Sequence, residues 1–380
     1  MNNQKSRNLK LLIFARYYLP GYKAGGPVRS IKNIVDLLES SFNVSVFTGD
    51  RDMLDTMPFD KVKFDCWISG KHSIYYSSKA RSIRLQSEII RATDTIYLNS
   101  FFDPFFSILP LILAIFLRKK VILAPRGEFS QSALNIKPLK KKLYILFFKL
   151  FGLKKGVIWH ATNQEEYNRI EAVVGTRFNG HIANNLSSSP DENVTLKSKK
   201  EHIDLFFLAR IAKMKNLKFA IQTLAKVKYK TVFTVYGPID DNQYWQDCQG
   251  EISKLPEHIK VDYLGSVDHS QVPMIISRHD FLFLPTLGEN FGHTIAECLA
   301  GGTPVIISDN TPWNELKEGG AGWNCSLNDG NSFVSAIENL AQLNDYDYMK
   351  LRTSTMKYYR LKVLDQQENL KEVYLKLFAK

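Results

Sequence analysis

Two glutamates in a glycine-containing segment have the types and spacing that most clearly indicate chemistry. Glu289 follows Gly288 in the stretch GENFGHTIAECLAGGTPVIISD, and Glu297 lies eight positions later on a predicted helix that Gly292 precedes. Free amide groups at the start of that helix would face an anion. The two carboxylates can accept hydrogen bonds from different hydroxyl groups of one ligand. The alternative is a helix that carries a solvated glutamate, but the strand–helix–strand context favours a binding site.

Two cations lie in a second segment, LARIAKMKN, between another predicted strand and a helix. Arg210 and Lys215 together can stabilise the negative charge of an anionic group, such as a phosphate, without a bound metal. Most arginine–lysine pairs at this spacing are merely solvated. Their position in the loop after a strand favours a functional role here, and Lys213 is the weaker candidate.

A glycine-rich loop, PGYKAGGPVR, joins the first predicted strand to the first helix. Gly25 and Gly26 would let backbone amides approach a diphosphate, and the alternative is an ordinary glycine turn. The loop has neither the GxxxxGK[ST] pattern of a Walker loop nor a clean GxGxxG pattern, which argues against a dehydrogenase.

Polar residues also follow a strand end in the N-terminal half, in the segment APRGE. Open parallel sheets bind ligands beyond such carboxyl ends. Arg126 is therefore a candidate to hold a phosphate of the acceptor or donor, and Glu128 is a candidate to orient an acceptor hydroxyl group. His160 ends a later strand and is interpreted as a structural residue.

The order of acidic residue, Phe-Gly, second glutamate and Gly-x-Pro-Val resembles the signature of the family 4 retaining glycosyltransferases, which adopt the GT-B fold. The resemblance implies that Glu289 contacts the transferred sugar and that Glu297 binds the ribose hydroxyl groups. It also implies that Arg210 and Lys215 bind the diphosphate. Sugar and phosphate contacts are assigned to the loop of Asn290, Phe291, Gly292, His293 and Thr294. Many members have an apolar residue in place of His293, so this side chain is either packed or in contact with the ligand.

Looser resemblances extend along most of the chain. The Tyr236-Gly237-Pro238 segment and the segment that contains Val267 resemble loops near the nucleobase, and the Gly25-Gly26 loop resembles the glycine loop on the donor side. The APRGE segment and the lysine-rich stretch after it resemble bacterial envelope-polysaccharide members. Many members carry a histidine near the reacting sugar, and the corresponding place in this chain is expected at Asn99.

Apolar, β-branched runs alternate with helical patterns in both halves, which predicts an α/β protein with parallel sheets. We predict an N-terminal domain at 1–183, a polar linker at 184–200, a C-terminal domain at 201–360 and a final helix at 361–380 that packs on the N-terminal domain. With the resemblance, this order implies a GT-B fold of two Rossmann-like domains whose sheets face each other across a cleft. Strands are predicted at 11–15, 44–48, 95–98, 121–124, 157–160, 205–208, 231–236, 260–263, 280–284 and 304–308.

Composition excludes disordered and fibrous classes, because 44% of the 380 residues are hydrophobic and 23% are charged. Residues 1–200 hold 31 Lys/Arg and 16 Asp/Glu, a net charge of +15, and residues 201–380 carry −3, so the positive excess of the chain, +12 in all, belongs to the N-terminal half. Such a field attracts phosphates of nucleic acid, anionic lipid or a diphosphate carrier. The four cysteines are scattered, which indicates a reducing, cytoplasmic compartment. The apolar run Leu11–Ala15 is too short for the core of a signal peptide.

Two apolar segments raise the question of membrane contact. Pro104–Leu117 is shorter than the ~20 residues that a spanning helix needs and contains Pro110, so we interpret it as a buried core helix. Lys137–Lys155 has an apolar centre between basic clusters, but its charges do not fall on one clean helical face. It is either a core helix with solvated ends or a membrane-surface helix.

Together these features predict a metal-independent, retaining hexosyltransferase. Its donor substrate would be a nucleotide-diphosphate sugar, with no further cofactor, and its acceptor a saccharide or lipid-linked saccharide of envelope polysaccharide such as lipopolysaccharide. The predicted location is cytoplasmic and peripheral, on the inner face of the cytoplasmic membrane. A sugar-nucleotide epimerase on the same fold is the alternative. A nucleic-acid-binding protein is disfavoured, because no helix-turn-helix, zinc-finger or RNA-recognition signature is evident.

Overall fold

The computed structural model of the protein describes residues 9–187 and 199–379, which form two compact units. The N-terminal unit extends to Leu186 and includes the chain from Glu368 onward. The C-terminal unit comprises the described residues between Ser187 and Gln367. Residues 188–198, which make up most of the predicted linker, lie outside the described part of the chain.

The N-terminal unit is built on a sheet of eight strands with helices between them. Strands β1 to β8 span Lys10–Ala15, Asn43–Gly49, Trp67–Ile68, Ser73–Ser77, Thr95–Leu98, Lys120–Leu123, Val157–Ala161 and Asn179–Ile182. Helices α1 to α6 span Gly26–Leu38, Ile83–Arg91, Leu109–Phe116, Gln131–Leu134, Pro138–Leu150 and Gln164–Val174. The sheet order is β3-β4-β2-β1-β5-β6-β7-β8, and β3 pairs antiparallel with β4 whereas the remaining pairs are parallel.

The C-terminal unit is built on a parallel sheet of six strands. Strands β9 to β14 span Ile203–Leu208, Thr231–Tyr236, Ile259–Tyr263, Phe281–Leu284, Val305–Ser308 and Gly322–Cys325. Helices α7 to α13 span Leu217–Leu224, Asn242–Ile252, Val272–Arg278, His293–Ala300, Gly330–Ala341, Asp345–Tyr359 and Asp365–Ala379. The sheet order is β11-β10-β9-β12-β13-β14. Strands β9 and β12 are buried along their whole length, which explains why they are apolar apart from Asp204.

In each sheet, the order of the strands along the sequence reverses direction at one strand. Strand β1 lies between β2 and β5, and β9 lies between β10 and β12. Loops at the carboxyl ends of such neighbouring strands diverge and leave a crevice in which ligands bind. The architecture confirms the predicted α/β fold of two domains with parallel sheets.

The last helix, α13, contributes to the core of the N-terminal unit. The ring of Phe378 lies 5.1 Å from that of Tyr97 and 6.4 Å from that of Phe42, measured between centroids. The Tyr374 hydroxyl donates to the Asn184 carbonyl at 3.0 Å. A π-helical turn at Arg360–Leu364 separates α12 from α13, so the predicted helical tail is not one regular α-helix.

Two apolar segments are less buried than a core helix would be. The segment predicted as a buried helix forms a π-helical turn and then α3, where Leu111 is buried but Phe116 is 83% exposed. In α5, Phe148 is the one fully buried residue of the thirteen that the structure describes, and Leu143 and Leu146 in the middle of the helix are exposed as well as its ends. None of the helices within 9–187 and 199–379 combines the length and apolarity that crossing a bilayer requires.

Candidate active site

Loops at the carboxyl edge of the C-terminal sheet carry the predicted donor-site residues. Arg210 and Lys215 follow β9, Val267 follows β11, and Glu289 follows β12, with Glu297 on the helix after it. Strands β11, β10, β9 and β12 are consecutive in the sheet. Parallel pairing therefore gathers at one edge residues that are scattered along the sequence.

The predicted basic residue Lys215 and the predicted acidic residue Glu289 form an ion pair with each other. Their loops are also joined through the backbone, because the Leu287 amide donates to the Met214 carbonyl at 2.8 Å. The two side chains are 19% and 11% exposed, so both are largely desolvated yet open to a ligand at the edge. A cation in such a position interacts with an added anion more strongly than it would in water.

Arg210 is held by Asp240, a residue that the sequence analysis did not select. The Arg210 guanidinium donates to Asp240 Oδ2 at 2.7 Å. A parallel bridge between Ile211 and Ile239, with an Ile211 amide bond of 2.8 Å to the Pro238 carbonyl, keeps the two loops in register. The only sequence signal for Asp240 is its place just beyond a strand end.

Glu297 is held by His269, a second residue that the sequence analysis missed. His269 Nε2 lies 2.9 Å from Glu297 Oε1, and both side chains are partly exposed. His269 comes two positions after Val267, in the loop after β11. The carboxylate thus contacts the loop that was predicted to lie near a nucleobase.

The loop of residues 290–294 turns into α10 at Gly292, which has a φ of 80°. A Cβ atom there would lie 2.9 Å from Ile295 Cδ1, so this position needs glycine for both conformation and space. The Phe291 carbonyl accepts the indole N–H of Trp313, and the Phe291 ring packs on His293 at a centroid distance of 4.9 Å. His293 is therefore packed and partly exposed at once. The first amides of α10 point to the same edge as the four charged residues.

Gly237, in the loop after β10, lies against the backbone of the loop after β9. Its φ is 136°, and a Cβ atom would lie 1.9 Å from the Ala209 carbonyl oxygen. We expect Gly237→Ala to lower the free energy of unfolding by about 3 kcal/mol, because backbone atoms must move. Gly250→Ala in α8 is the control: its Cβ meets nothing within 4 Å, and alanine should stabilise the helix by about 0.5–1 kcal/mol. Denaturant unfolding that gives both variants equal stability would contradict the close approach.

The glycine loop of the N-terminal unit is held by Asp52, which the sequence analysis also missed. Asp52 is buried, and its Oδ2 accepts the amides of Tyr22 at 2.7 Å and Lys23 at 2.9 Å. Gly25, with a φ of 67°, precedes α1, which begins at Gly26. The Gly25 amide donates to the Tyr22 carbonyl at 2.9 Å, and the Val28 amide donates to the Gly25 carbonyl at 3.1 Å, so backbone bonds within the loop also fix its path.

Arg126 lies beyond β6 and is held by three groups of its own unit. Its guanidinium donates to Asn185 Oδ1 at 2.6 Å, to the Tyr97 hydroxyl at 2.6 Å and to Asn99 Oδ1 at 3.4 Å. The structure thus brings the two predicted residues Arg126 and Asn99 together. The guanidinium is fixed before any ligand binds, which favours recognition of a phosphate in one orientation.

His160 is neutral and contacts the Tyr97 hydroxyl to which Arg126 also donates. Its Nε2 donates to the Ala183 carbonyl at 2.8 Å, so Nδ1 accepts the Tyr97 hydroxyl at 2.7 Å. Burial, and then the positive charge of Arg126, lowers the pKa of His160 to about 3. These contacts agree with the interpretation of His160 as a structural residue.

Glu128 is engaged within its own unit. Ser100 Oγ donates to one carboxylate oxygen at 2.7 Å, and the Phe102 amide donates to the other at 3.1 Å. Burial raises the pKa of Glu128 although these hydrogen bonds act in the opposite direction. The contacts show how Glu128 holds the loop that follows Asn99. Glu166 acts similarly and accepts the Gly127 amide at 2.6 Å.

A cavity of about 750 Å³ opens beyond β1, β2 and β4 in the N-terminal unit. Arg81 lies over the Phe105 ring at 5.0 Å, and Arg16 pairs with Asp103 at 3.2 Å. Paired charges, hydroxyl groups and aromatic faces together suit a polar, hydroxyl-rich ligand. No local sequence pattern marks this cavity, whose polar lining includes Arg16, Tyr17, Asp50, Arg51, Ser77 and Arg81.

The C-terminal part of the chain matches a known family. Residues 189–360 match the sequence model of the family described as "Glycosyl transferases group 1". This range includes the candidate donor site from Arg210 to Glu297. The match therefore covers the carboxyl-edge loops described above.

Two curated relatives share parts of the sequence. One is described as an uncharacterized 41.2 kDa protein in the cps region of Klebsiella pneumoniae; it is 24% identical over 261 residues, which are 64% of this chain and 68% of the relative. The other is the O-antigen chain mannosyltransferase RfbU of Salmonella typhimurium; it is 35% identical over 102 residues, which are 27% of this chain and 29% of the relative.

Solved structures share the fold over almost the whole chain. Sucrose-phosphate synthase from Thermosynechococcus elongatus superposes with a TM-score of 0.71 at 15% identity, covering 98% of this chain and 99% of that one. Anabaena HepE, solved in complex with UDP-glucose, gives 0.71 at 12% identity, covering 98% of both chains. At these identities the likeness establishes the GT-B fold and nothing finer.

Proposed function

We propose that the donor of this glycosyltransferase, whose residues 189–360 match the group 1 family, is a nucleotide-diphosphate sugar. It binds at the carboxyl edge of the C-terminal sheet. The observation that carries this proposal is the position of Lys215, which is paired with Glu289 and lies in the same loop as Arg210. Two cations and an acid at one edge match the charge pattern of a sugar joined to a diphosphate.

Each donor contact follows from the chemistry of the side chain. Arg210 and Lys215 bind the diphosphate, and the Lys215 ammonium is shared between Glu289 and a phosphate oxygen. Glu289 accepts a hydroxyl group of the transferred sugar, and Glu297, oriented by His269, accepts the ribose hydroxyl groups. Backbone amides of the same unit complete the site, from Val267, Asn290, Phe291, Gly292, His293 and Thr294.

The transfer step exchanges one bond at the anomeric carbon for another. The bond from that carbon to the diphosphate oxygen breaks, and a bond to the acceptor oxygen forms. The acceptor proton passes to the departing diphosphate, whose growing charge Arg210 and Lys215 offset. Attack from the side of the leaving group retains the configuration, and the two cations make a metal ion unnecessary for this step.

We assign the acceptor to the carboxyl edge of the N-terminal sheet. The cavity beyond β1, β2 and β4 suits a saccharide, and Arg126, fixed beside Asn99, suits a phosphate of a lipid-linked carrier. Glu128 holds the loop between them. Relatives named for a cps region and for an O-antigen chain support an acceptor from envelope polysaccharide. We propose that the protein meets such acceptors at the inner face of the cytoplasmic membrane.

Product analysis tests the proposal. The full chain is incubated with a panel of nucleotide-diphosphate sugars and saccharide acceptors in the presence of a chelator. We expect free nucleoside diphosphate and an extended acceptor whose new linkage keeps the donor configuration, as read by proton NMR. Isomerised sugar nucleotide without released diphosphate would identify an epimerase instead. Inverted linkages, or transfer abolished by the chelator, would refute the retaining or metal-independent part.

A further inference from the structure

Helix α5 exposes a continuous apolar stripe. Leu139, Leu143, Leu146 and Leu150 recur at the spacing of one helical face, and their exposed fractions are 71%, 58%, 53% and 75%. Phe151, just beyond the helix, is 68% exposed and lies beside the end of the stripe. Large apolar side chains contiguous on a surface mark a place where another apolar phase or partner is contacted.

The opposite face of α5 explains why the stripe cannot turn inward. Phe148 is fully buried, and its ring lies 5.0 Å from that of Phe101 and 5.8 Å from that of Trp159. Tyr144, one turn earlier, lies 4.9 Å from the same Phe101 ring. The aromatic core thus fixes the rotation of the helix and keeps the leucines on the outside. An ordinary surface helix has a polar face in that position.

Charge around the stripe has one sign. Residues 129–164 contain seven lysines and no acidic residue. With 100° between successive residues of an α-helix, Lys142 and Lys149 lie along one border of the stripe and Lys140 along the other. All three side chains are exposed. An apolar strip bordered by lysines is complementary to a layer with acyl chains inside and anionic headgroups outside.

We propose that α5 docks the N-terminal unit on an anionic phospholipid surface, with the leucine stripe inserted between the headgroups and the lysines in contact with phosphates. A second copy of the chain is a poorer occupant, because seven lysines on each side would repel. The inference rests on the proposed function in one respect: a lipid-linked acceptor lies at such a surface, which gives the membrane contact its purpose. The contact itself does not depend on donor binding.

Vesicle flotation of the full chain tests the proposal. Vesicles of phosphatidylcholine alone are compared with vesicles that also contain phosphatidylglycerol. We expect binding to the anionic vesicles and a fall of at least roughly tenfold in the partition coefficient for Leu143→Ser/Leu150→Ser, because two inserted leucines are lost. Lys142→Gln/Lys149→Gln should also weaken binding and should flatten its dependence on salt.

A matched control distinguishes the stripe from general surface apolarity. Ile83 and Tyr346 are 62% and 75% exposed and lie away from α5 in the sequence, so Ile83→Ser/Tyr346→Ser should bind vesicles like the parent protein. Equal binding by the leucine variant and this control would overturn the proposal, as would binding that ignores anionic lipid. Gel filtration that shows a dimer dissociated by the leucine variant, without vesicle binding, would assign the stripe to a second copy. Nucleotide-induced thermal stabilisation of each variant reports separately on the donor site.

Discussion

Replacement of Lys215 by alanine is expected to lower the rate of sugar transfer by about 10²–10³-fold, the usual cost of removing one group that stabilises developing charge. Lys215 is 19% exposed and paired with Glu289, so its ammonium is held at the edge before the donor arrives. Removing it leaves the diphosphate with Arg210 alone. Initial rates of nucleoside diphosphate release at saturating donor measure the effect.

Lys213→Ala is the matched control for this variant. Lys213 lies two positions away in the same 3₁₀ turn, but its side chain is exposed. We expect its rate to stay within about twofold of the parent, as is usual for an exposed residue outside the site. Comparable losses of rate in Lys213→Ala and Lys215→Ala would mean that the loop acts through its total positive charge and not through a specific contact of Lys215. Because Glu289 loses its partner in Lys215→Ala, unfolding must be measured to confirm that the variant is folded at the assay temperature.

Replacement of Glu297 by alanine is expected to weaken donor binding more than it slows the chemical step. A carboxylate that accepts hydrogen bonds from ribose hydroxyl groups contributes about 1.5–3 kcal/mol per bond, which corresponds to a rise of roughly 10–100-fold in the donor KM. The effect should fall mainly on KM, because the ribose keeps its bonds throughout the reaction. Steady-state kinetics with varied donor measure it.

Two further variants test whether the effect on the donor KM is specific to Glu297. Glu318→Ala removes an exposed carboxylate elsewhere in the C-terminal unit and should leave the donor KM unchanged. His269→Gln keeps a hydrogen-bond donor near Glu297 and should raise the KM much less than Glu297→Ala. A normal KM for Glu297→Ala, with normal turnover, would contradict the ribose assignment.

The charged residues of the donor loops could be selected from the sequence because they follow apolar strands and precede helices. Asp240 and His269 could not, since neither belongs to a local pattern. Each matters only because strands far apart in sequence become neighbours in the sheet, which brings their loops to Arg210 and Glu297. Asp52 is a similar case, as its role depends on the path of the glycine loop around it.

Buried strands of the fold were predictable because their apolar residues form continuous runs, as at Thr95–Leu98 and Thr231–Tyr236. The edge strands β3 and β14 were not, because β3 has two residues and β14 begins with glycine and contains asparagine. The orientation of α5 could not be predicted from the sequence either. Apolar residues lie on both of its faces, and only the aromatic core around Phe101 determines which face is buried.

Calorimetric titration of nucleoside diphosphates into the parent protein and into the Lys215→Ala/Glu297→Ala double variant tests the central claim most directly. Uridine diphosphate and guanosine diphosphate serve as probes. If the loops after β9 and β12 form the donor site, one of the probes binds the parent, and its affinity falls at least about 100-fold in the folded double variant, since a charged contact is lost at each end of the ligand. Parent-like affinity in the double variant would place the nucleotide elsewhere and contradict the account.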